Sequence, residues 1–260
     1  MKAKKSLGQN FLKSGIALRQ IIEAGEVKES DVVLEIGPGR GALTEQLLAS
    51  SCQLVAVEKD RKLFKFLQEK FREEIKSGQL VLISGDILEF NLENYKLQAS
   101  SYKLIANIPY NITGAILKKF LTAEMQPGLM VLMVQHEVAT RILARDGKES
   151  LLSVSVKAYG EPKMIAKVDK RYFSPPPKVN SAIISIKNIS RKMFLASGEY
   201  GGVDEQRFWE IVKTGFAHKR KKLSGNLKNV ISAQKLSEAG LGDKRAEDLS
   251  LLDWILLAKS

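Results

Sequence analysis

A chain of 260 residues that is 44% hydrophobic and 27% charged is long enough to bury a core and fits one large globular domain with a small satellite. Its 41 Lys and Arg against 29 Asp and Glu leave a net charge of +12, which favours a polyanionic partner, while one cysteine (Cys52) and two histidines exclude an internal disulfide and a clustered structural zinc site. The longest apolar run, LMVLMV at 129–134, is too short for a membrane span, and the opening MKAKKSLGQNFLKSG has no signal-peptide core, so a metal-free protein of the reducing cytoplasm, not bound to membrane, is expected.

In chain order, β-rich apolar runs occur at 31–36 (DVVLEI), 53–58 (QLVAVE), 79–83 (QLVLI), 102–106 (YKLIA) and 129–134. Segments of helical spacing separate them, at 41–50, at 60–71 with Asp60 as N-cap, at 113–121 with Thr113 or Asn111 as cap, and at 136–159. That alternation predicts a parallel sheet covered on both faces. Two later runs, 163–168 and 181–186, flank the turn-rich FSPPPKVN and predict a closing antiparallel pair. A glycine-containing stretch at 188–203, with Gly198, Gly201 and Gly202, reads as a linker. Beyond it the apolar spacing is helical, as in Phe208, Ile211, Val212 and then Leu249, Leu252, Ile255, Leu256. The predicted organisation is a domain over 1–187, a linker over 188–203 and a small helical domain over 204–260.

Between the first predicted strand and helix, VLEIGPGRGALTEQL places Gly37, Gly39 and Gly41 where a ligand can approach the backbone without meeting a Cβ. The spacing is GxGxG, and no Lys-Ser or Lys-Thr follows, which disfavours pyrophosphate and nucleoside triphosphate. Glu58 ends the second strand, suited to the two hydroxyls of a ribose, with Lys59 next to it. Asp86, beside Gly85 and Ile87, ends the third and suits an adenine amino group. Glu35 is placed either to meet the ligand's amino-acid end or to cap local backbone. Ribose and adenine without phosphates, with room for a charged amino-acid tail, describe S-adenosylmethionine.

The fourth strand ends in Asn107-Ile108-Pro109-Tyr110. An exocyclic adenine amine is a poor nucleophile because its lone pair is delocalised into the ring. The Asn107 side-chain oxygen and the Ile108 carbonyl are suited to accept its two hydrogens and favour a pyramidal nitrogen. Pro109 restricts Ile108 to extended geometry, and Tyr110 offers a ring on which the base can stack.

With these motifs in place, the chain closely resembles the ribosomal RNA adenine-N6 dimethyltransferases, and among them the 16S (small-subunit) group. The resemblance is carried by KKSLGQNFL at 4–12, LEIGPGRGALT at 34–44, VEKD at 57–60, GDIL at 85–88, NIPYNIT at 107–113, QHEVATRILA at 135–144, FSPPPKVNSAI at 173–183 and FAHKRKKLSGNL at 216–227. It implies an α/β, Rossmann-like S-adenosylmethionine-dependent methyltransferase sheet with a small all-helical C-terminal domain. It further implies that Asn10 and Leu12 close over the cofactor, that Gly37, Glu58, Asp86 and Asn107 bind it, and that Tyr110 and Phe173 sandwich the target adenine. The implied reaction is dimethylation of adenine N6 in small-subunit rRNA, on immature subunits, by a monomer. The chain departs from the family at Glu149-Ser150-Leu151, where a Tyr-Gly is usual. Alternative readings are a 23S rRNA adenine methyltransferase of the antibiotic-resistance type and a ribosome-assembly factor whose chemistry is secondary.

The basic excess is clustered. From Ile211 to Ser237 there are seven Lys or Arg and no acid, including Lys219, Arg220, Lys221 and Lys222, and residues 2–13 add Lys2, Lys4, Lys5 and Lys13. Both blocks suit a phosphate backbone. His136, His218, Trp209 and Trp254 read as structural or surface residues.

Overall fold

The computed structural model describes residues 3–91, 102–195 and 202–259, so Lys2, Gly198, Gly201 and part of the predicted linker lie outside the described residues. Within it the chain divides into two compact units, Met1–Ala139 with Glu161–Ile189, and Thr140–Gly160 with Ser190–Ser260.

The first unit is built on seven strands: β2 (Val32–Ile36), β3 (Gln53–Glu58), β4 (Leu80–Ser84), β5 (Lys103–Asn107), β6 (Leu129–Gln135), β7 (Glu161–Val168) and β9 (Ser181–Lys187). Their order in the sheet is β4-β3-β2-β5-β6-β9-β7. The first five are mutually parallel, and β9 and β7 are antiparallel to their neighbours. All five predicted parallel runs are therefore strands, and the closing antiparallel pair is present. The central strands β3, β6 and β9 are buried almost end to end, which is why they read as unbroken apolar runs. Strand β7 alternates because it is an edge, where Pro162 sacrifices no interior ladder bond.

From β2 the chain moves outward through β3 and β4, then returns to place β5 on the other side of β2. The carboxyl ends of β2 and β5 form the switch point at which open α/β sheets hold their ligands. Helices α2 (Ala42–Leu48), α3 (Arg61–Lys70), α4 (Arg72–Ser77) and α5 (Thr113–Leu121) lie in the crossover segments. Asp60 caps α3 as expected, accepting from the Lys62 N–H at 2.9 Å. The cap expected of Thr113 or Asn111 is not formed. A 3-10 turn, Tyr110–Ile112, feeds directly into α5, and the Thr113 hydroxyl donates back to the Tyr110 carbonyl at 3.0 Å.

Three further elements of this unit carry no prediction. Helix α1 (Gly15–Gly25) is capped by Ser14 and buries Ala17, Leu18 and Ile21 against the sheet core. Two-residue strands β1 (Phe11–Leu12) and β8 (Phe173–Ser174) pair antiparallel, away from the main sheet.

The predicted helix over 136–159 is two helices, α6 (His136–Leu143) and α7 (Leu151–Lys157). Between them Ala144 and Gly147 take left-handed backbone angles, φ 51° and 73°, which end the first helix. Ser150 and Ser153 form a reciprocal capping box that starts the second. Assigning 1–187 to a single domain is corrected in the same place, because 140–160 packs with the second unit.

That second unit is helical, with α7, α8 (Glu205–Gly215), α9 (Leu223–Asn226), α10 (Ala233–Glu238) and α11 (Leu251–Lys259). Phe208, Ile211, Val212, Leu249 and Ile255 are buried as their spacing predicts, whereas Leu252 and Leu256 face outward. Trp254 is fully buried against Gly215, where a Cβ would stand 2.4 Å from its ring. Trp209 stacks on Tyr159 and donates to its hydroxyl at 3.0 Å. Both tryptophans are thus packing residues. Among the described residues no helix is long and apolar enough to cross a membrane.

Candidate active site

A cavity of about 490 Å³ opens at the carboxyl ends of β2, β3, β4 and β5 in the first unit. Ten residues expected around a cofactor line it: Asn10, Leu12, Glu35, Gly37, Gly39, Glu58, Lys59, Asp86, Ile87 and Asn107. Its size is that of an ordinary small-molecule site. The floor is the glycine loop after β2. Gly37 and Gly39 have φ of 63° and 64°, a conformation that disfavours any side chain. At Gly37 an added Cβ would enter open space, and at Gly39 it would stand 3.1 Å from the Phe11 ring. One glycine leaves room for a ligand, the other for a neighbouring segment.

Glu58, 4% exposed, accepts from the Gly39 N–H at 3.0 Å with Oε2 and from the Asp60 N–H at 2.8 Å with Oε1. Burial pushes its carboxyl up, and these backbone donors pull it back, leaving it raised. A carboxylate has about four acceptor positions, so both oxygens keep capacity for a ribose hydroxyl. Asp86 is paired with Lys59 at 2.5 Å and accepts from the Leu88 N–H at 3.0 Å. The Lys59 partner holds the Asp86 carboxyl below its usual range. Lys59 thereby has its charge balanced at the cavity wall. Glu35 is fully buried, and burial raises it to about 8; the Thr44 hydroxyl, donating at 2.8 Å, lowers it, and the neighbouring Glu58 raises it further. It is largely protonated at neutral pH. The sequence left its role open between ligand and local cap, and here it receives a side-chain hydroxyl from α2.

After β5, Asn107, Ile108, Pro109 and Tyr110 form the next wall. The Asn107 Nδ2 donates to the Asn10 carbonyl at 3.1 Å, which fixes the amide plane. Among the described residues, neither the Asn107 Oδ1 nor the Ile108 carbonyl accepts a hydrogen bond. Two acceptors on consecutive residues therefore remain available at one edge of the cavity. Pro109 has φ −61° and ψ 126°, which turns the chain into the 3-10 segment carrying Tyr110. Burial pushes the Tyr110 phenol up, and its hydroxyl bonds the fully buried Ser181 hydroxyl on β9.

The N-terminal segment closes over this wall. Gly8 rides on the turn after β5, with an added Cβ only 2.9 Å from Asn111 Oδ1. Phe11 lies under the Arg40 guanidinium, 4.5 Å from the ring centre. Asp60 anchors the strap from the other side, accepting from Lys4 Nζ at 2.9 Å and Gln9 Nε2 at 3.1 Å. Burial raises the Asp60 carboxyl, but Lys4, the Lys62 N–H and Gln9 together hold it below its usual value. Gln9, Phe11, Arg40, Thr44 and Ser181 were not singled out in sequence, and Lys4, read there as part of a phosphate-binding block, instead pairs with Asp60. Their partners lie 9 to 71 positions away, and only the fold brings them together.

Phe173 is different from the expectation. Its ring is 1% exposed, packs in the sheet core with Leu12 and Ile183, and does not line the cavity. To stack on a base it would first have to leave that core. Lys219, Arg220, Lys221 and Lys222 are exposed on the second unit. Of these, Lys222 pairs with Asp243 at 2.8 Å.

A family model described as "Ribosomal RNA adenine dimethylase" matches residues 1–260. The chain belongs to the ribosomal RNA adenine dimethylase family. It is 41% identical to a protein of Dehalococcoides mccartyi named "Ribosomal RNA small subunit methyltransferase A", over 98% of this chain and 87% of that one. Among solved structures, a dimethyladenosine transferase from Plasmodium falciparum is similar with a TM-score of 0.78 at 25% identity, covering 95% of both chains. The 23S rRNA methyltransferase ErmE is similar with a TM-score of 0.76 at 26% identity, covering 96% of this chain and 98% of that one. The α/β fold and the enzyme class of the dimethylase family are thereby established for this chain, and S-adenosylmethionine is its cofactor. The cavity fits that cofactor. Gly37 leaves space against the backbone, carboxylates stand at the ends of β3 and β4, and the guanidinium of the loop's own Arg40 is stacked on Phe11.

Proposed function

We propose that this dimethylase transfers two methyl groups to the N6 amine of adenines in small-subunit rRNA, acting as a monomer on immature subunits in the cytoplasm. The observation that carries the chemistry is the pair of unclaimed acceptors, Asn107 Oδ1 and the Ile108 carbonyl, at the rim of a cavity whose floor is the glycine loop. The relatives named for the small subunit, at 41% identity, favour that substrate over 23S rRNA, since the fold is similar in both groups.

Glu58 takes the ribose hydroxyls and Asp86 the adenine amino group of the cofactor, while Asn10 and Leu12 cover it. S-adenosylmethionine supplies, when bound, a methyl group on a positively charged sulfur that departs as a neutral thioether. Asn107 Oδ1 and the Ile108 carbonyl accept the two N–H bonds of the target amine, which concentrates the lone pair on nitrogen. Tyr110, braced by Ser181, holds the base plane, so orientation supplies much of the rate. The methylated nitrogen then sheds its extra proton to water, and no side chain is needed as base. After the first transfer, the Ile108 or Asn107 acceptor still holds the remaining N–H for the second. The target adenine must be unpaired or extruded to reach this site. The Lys219–Lys222 block contributes phosphate contacts.

The test is single-turnover methyl transfer to small-subunit rRNA purified from cells lacking this protein, with the product nucleoside identified by mass. N6,N6-dimethyladenosine is expected in small-subunit rRNA and not in 23S rRNA; the reverse preference would move the chain to the alternative substrate.

A further inference from the structure

Phe173 is buried, but the residue before it is not. Tyr172 ends the 3-10 turn Lys170–Tyr172 and is 38% exposed, beside exposed Lys170 and Arg171. The turn is firmly held. Asp169 accepts from the Arg171 N–H at 2.9 Å, Asn180 Oδ1 accepts from the Lys170 N–H at 3.1 Å, and the Tyr172 carbonyl accepts from the Lys13 N–H at 2.8 Å. The last of these bonds fixes the turn to the rim of the cavity, because Lys13 lines it and the adjoining residues pair as Leu12 with Phe173. The Arg171 guanidinium carbon lies 5.1 Å from the Tyr172 ring centre, and an Arg171 N–H donates to the Tyr172 hydroxyl at 3.2 Å. Lys13, Lys170 and Arg171 form no side-chain ion pair among the described residues, and from Lys170 to Lys187 there is no Asp or Glu.

We propose that this rim is a docking site for the RNA strand next to the target: a base flanking the target adenine stacks on Tyr172, and its phosphates lie against Lys13, Lys170 and Arg171. The proposal rests on RNA being the substrate and adds where the strand is gripped. Extruding one base leaves its neighbour without a stacking partner, and an aromatic ring at the mouth of the receiving pocket replaces that partner. Stacking of this kind tolerates any base, because every base has a π-face. The guanidinium on the ring keeps the phenol in one orientation and adds a phosphate donor. Cations clustered about an exposed aromatic match a nucleotide, with charge for the phosphate and a face for the base, better than they match either a free anion or an apolar partner.

The experiment measures RNA affinity, KM for RNA, kcat and cofactor affinity for Tyr172→Ala, Tyr172→Phe and the Lys170→Gln/Arg171→Gln double variant, using unmethylated small-subunit rRNA. Tyr172→Ala should raise Kd and KM for RNA about tenfold while kcat at saturating RNA stays within about twofold, as loss of one stacked base predicts. Tyr172→Phe, which keeps the ring, should stay within about twofold of wild type in KM. The double variant should flatten the salt dependence of binding by about 1.4 log units per log of salt, for two phosphates of a single strand left unneutralised. Cofactor affinity should be unchanged throughout, which also reports that each variant is folded; if Tyr172→Ala is not, the double variant decides. Wild-type KM and Kd for RNA in folded Tyr172→Ala, or an unaltered salt slope in the double variant, would overturn the docking site. A wild-type enzyme that binds no RNA would instead overturn the reading on which the proposal rests.

Discussion

Glu35 sits 1% exposed behind the glycine loop, with a Thr44 hydroxyl as its hydrogen-bond donor and Glu58 nearby. Burial raises its carboxyl from 4.5 to about 8, so the folded protein holds a proton there that the unfolded chain releases. Between those two values the native state binds more protons, and stability therefore falls as pH rises, by at most about 1.4 kcal/mol per pH unit from this group. Glu35→Gln keeps an acceptor for Thr44 and carries no titrating proton. In denaturant unfolding at pH 5, 7 and 8.5, its stability relative to wild type should improve steadily with pH; parallel pH profiles would contradict a buried, protonated Glu35. The sequence could place Glu35 at the end of a strand, but whether it is ionised depends on depth, which one sequence does not record. The same limit applies to Phe173. The resemblance implied a ring presented to the target adenine, yet pairing of Leu12 with Phe173 turns that ring into the core and leaves Tyr172 outside.

At the scale of elements, the N-terminal strap covers the cavity and is latched to Asp60, the residue that also caps α3. Replacing Asp60 would disturb both the helix and the latch, so the informative variant is Lys4→Ala/Gln9→Ala, which spares the cap. The pair removes the Lys4 ion pair and the Gln9 hydrogen bond to the same carboxylate, together with the Gln9 Oε1 bond to the Lys4 N–H, at a partly exposed site, so cofactor dissociation should accelerate by about three- to tenfold with little change in stability. Stopped-flow displacement measures this, and an unchanged dissociation rate would show that the strap is held without the latch. The strands were legible because parallel strands buried on both faces read as continuous apolar runs. The breaks were less so. Residues 136–159 keep helical spacing on both sides of Gly147, and only the left-handed backbone at Ala144 and Gly147 with the Ser150 capping box separates α6 from α7. Strands β1 and β8, two residues each, are too short for any periodicity, although they fix the strap beside the site.

Across the whole molecule, the +12 charge is the property most directly tied to an RNA substrate, and its distribution matters more than its sum. In the Lys219–Lys222 block, Lys219, Arg220 and Lys221 form no side-chain ion pair among the described residues. Lys222 pairs with the almost fully exposed Asp243, an interaction worth little in water. Changing all four to Gln should weaken rRNA binding and lower its salt slope by about 0.7 log units per log of salt for each single-strand phosphate that the block neutralises, with cofactor affinity unaltered. An unchanged slope in a salt titration would mean that the block is only a solvated face. The change of apolar spacing near residue 188 was legible in the sequence. The membership of 140–160 in the helical unit was not, since a segment that leaves one unit and rejoins it carries no composition shift.

If Asn107 orients the reacting amine, its loss must show in single-turnover methyl transfer by Asn107→Ala onto unmethylated small-subunit rRNA. The rate should fall by about 10² or more, as for loss of one transition-state hydrogen bond, with most RNA affinity retained. A wild-type rate from Asn107→Ala, or a product methylated on any atom other than the adenine amine, would contradict that role.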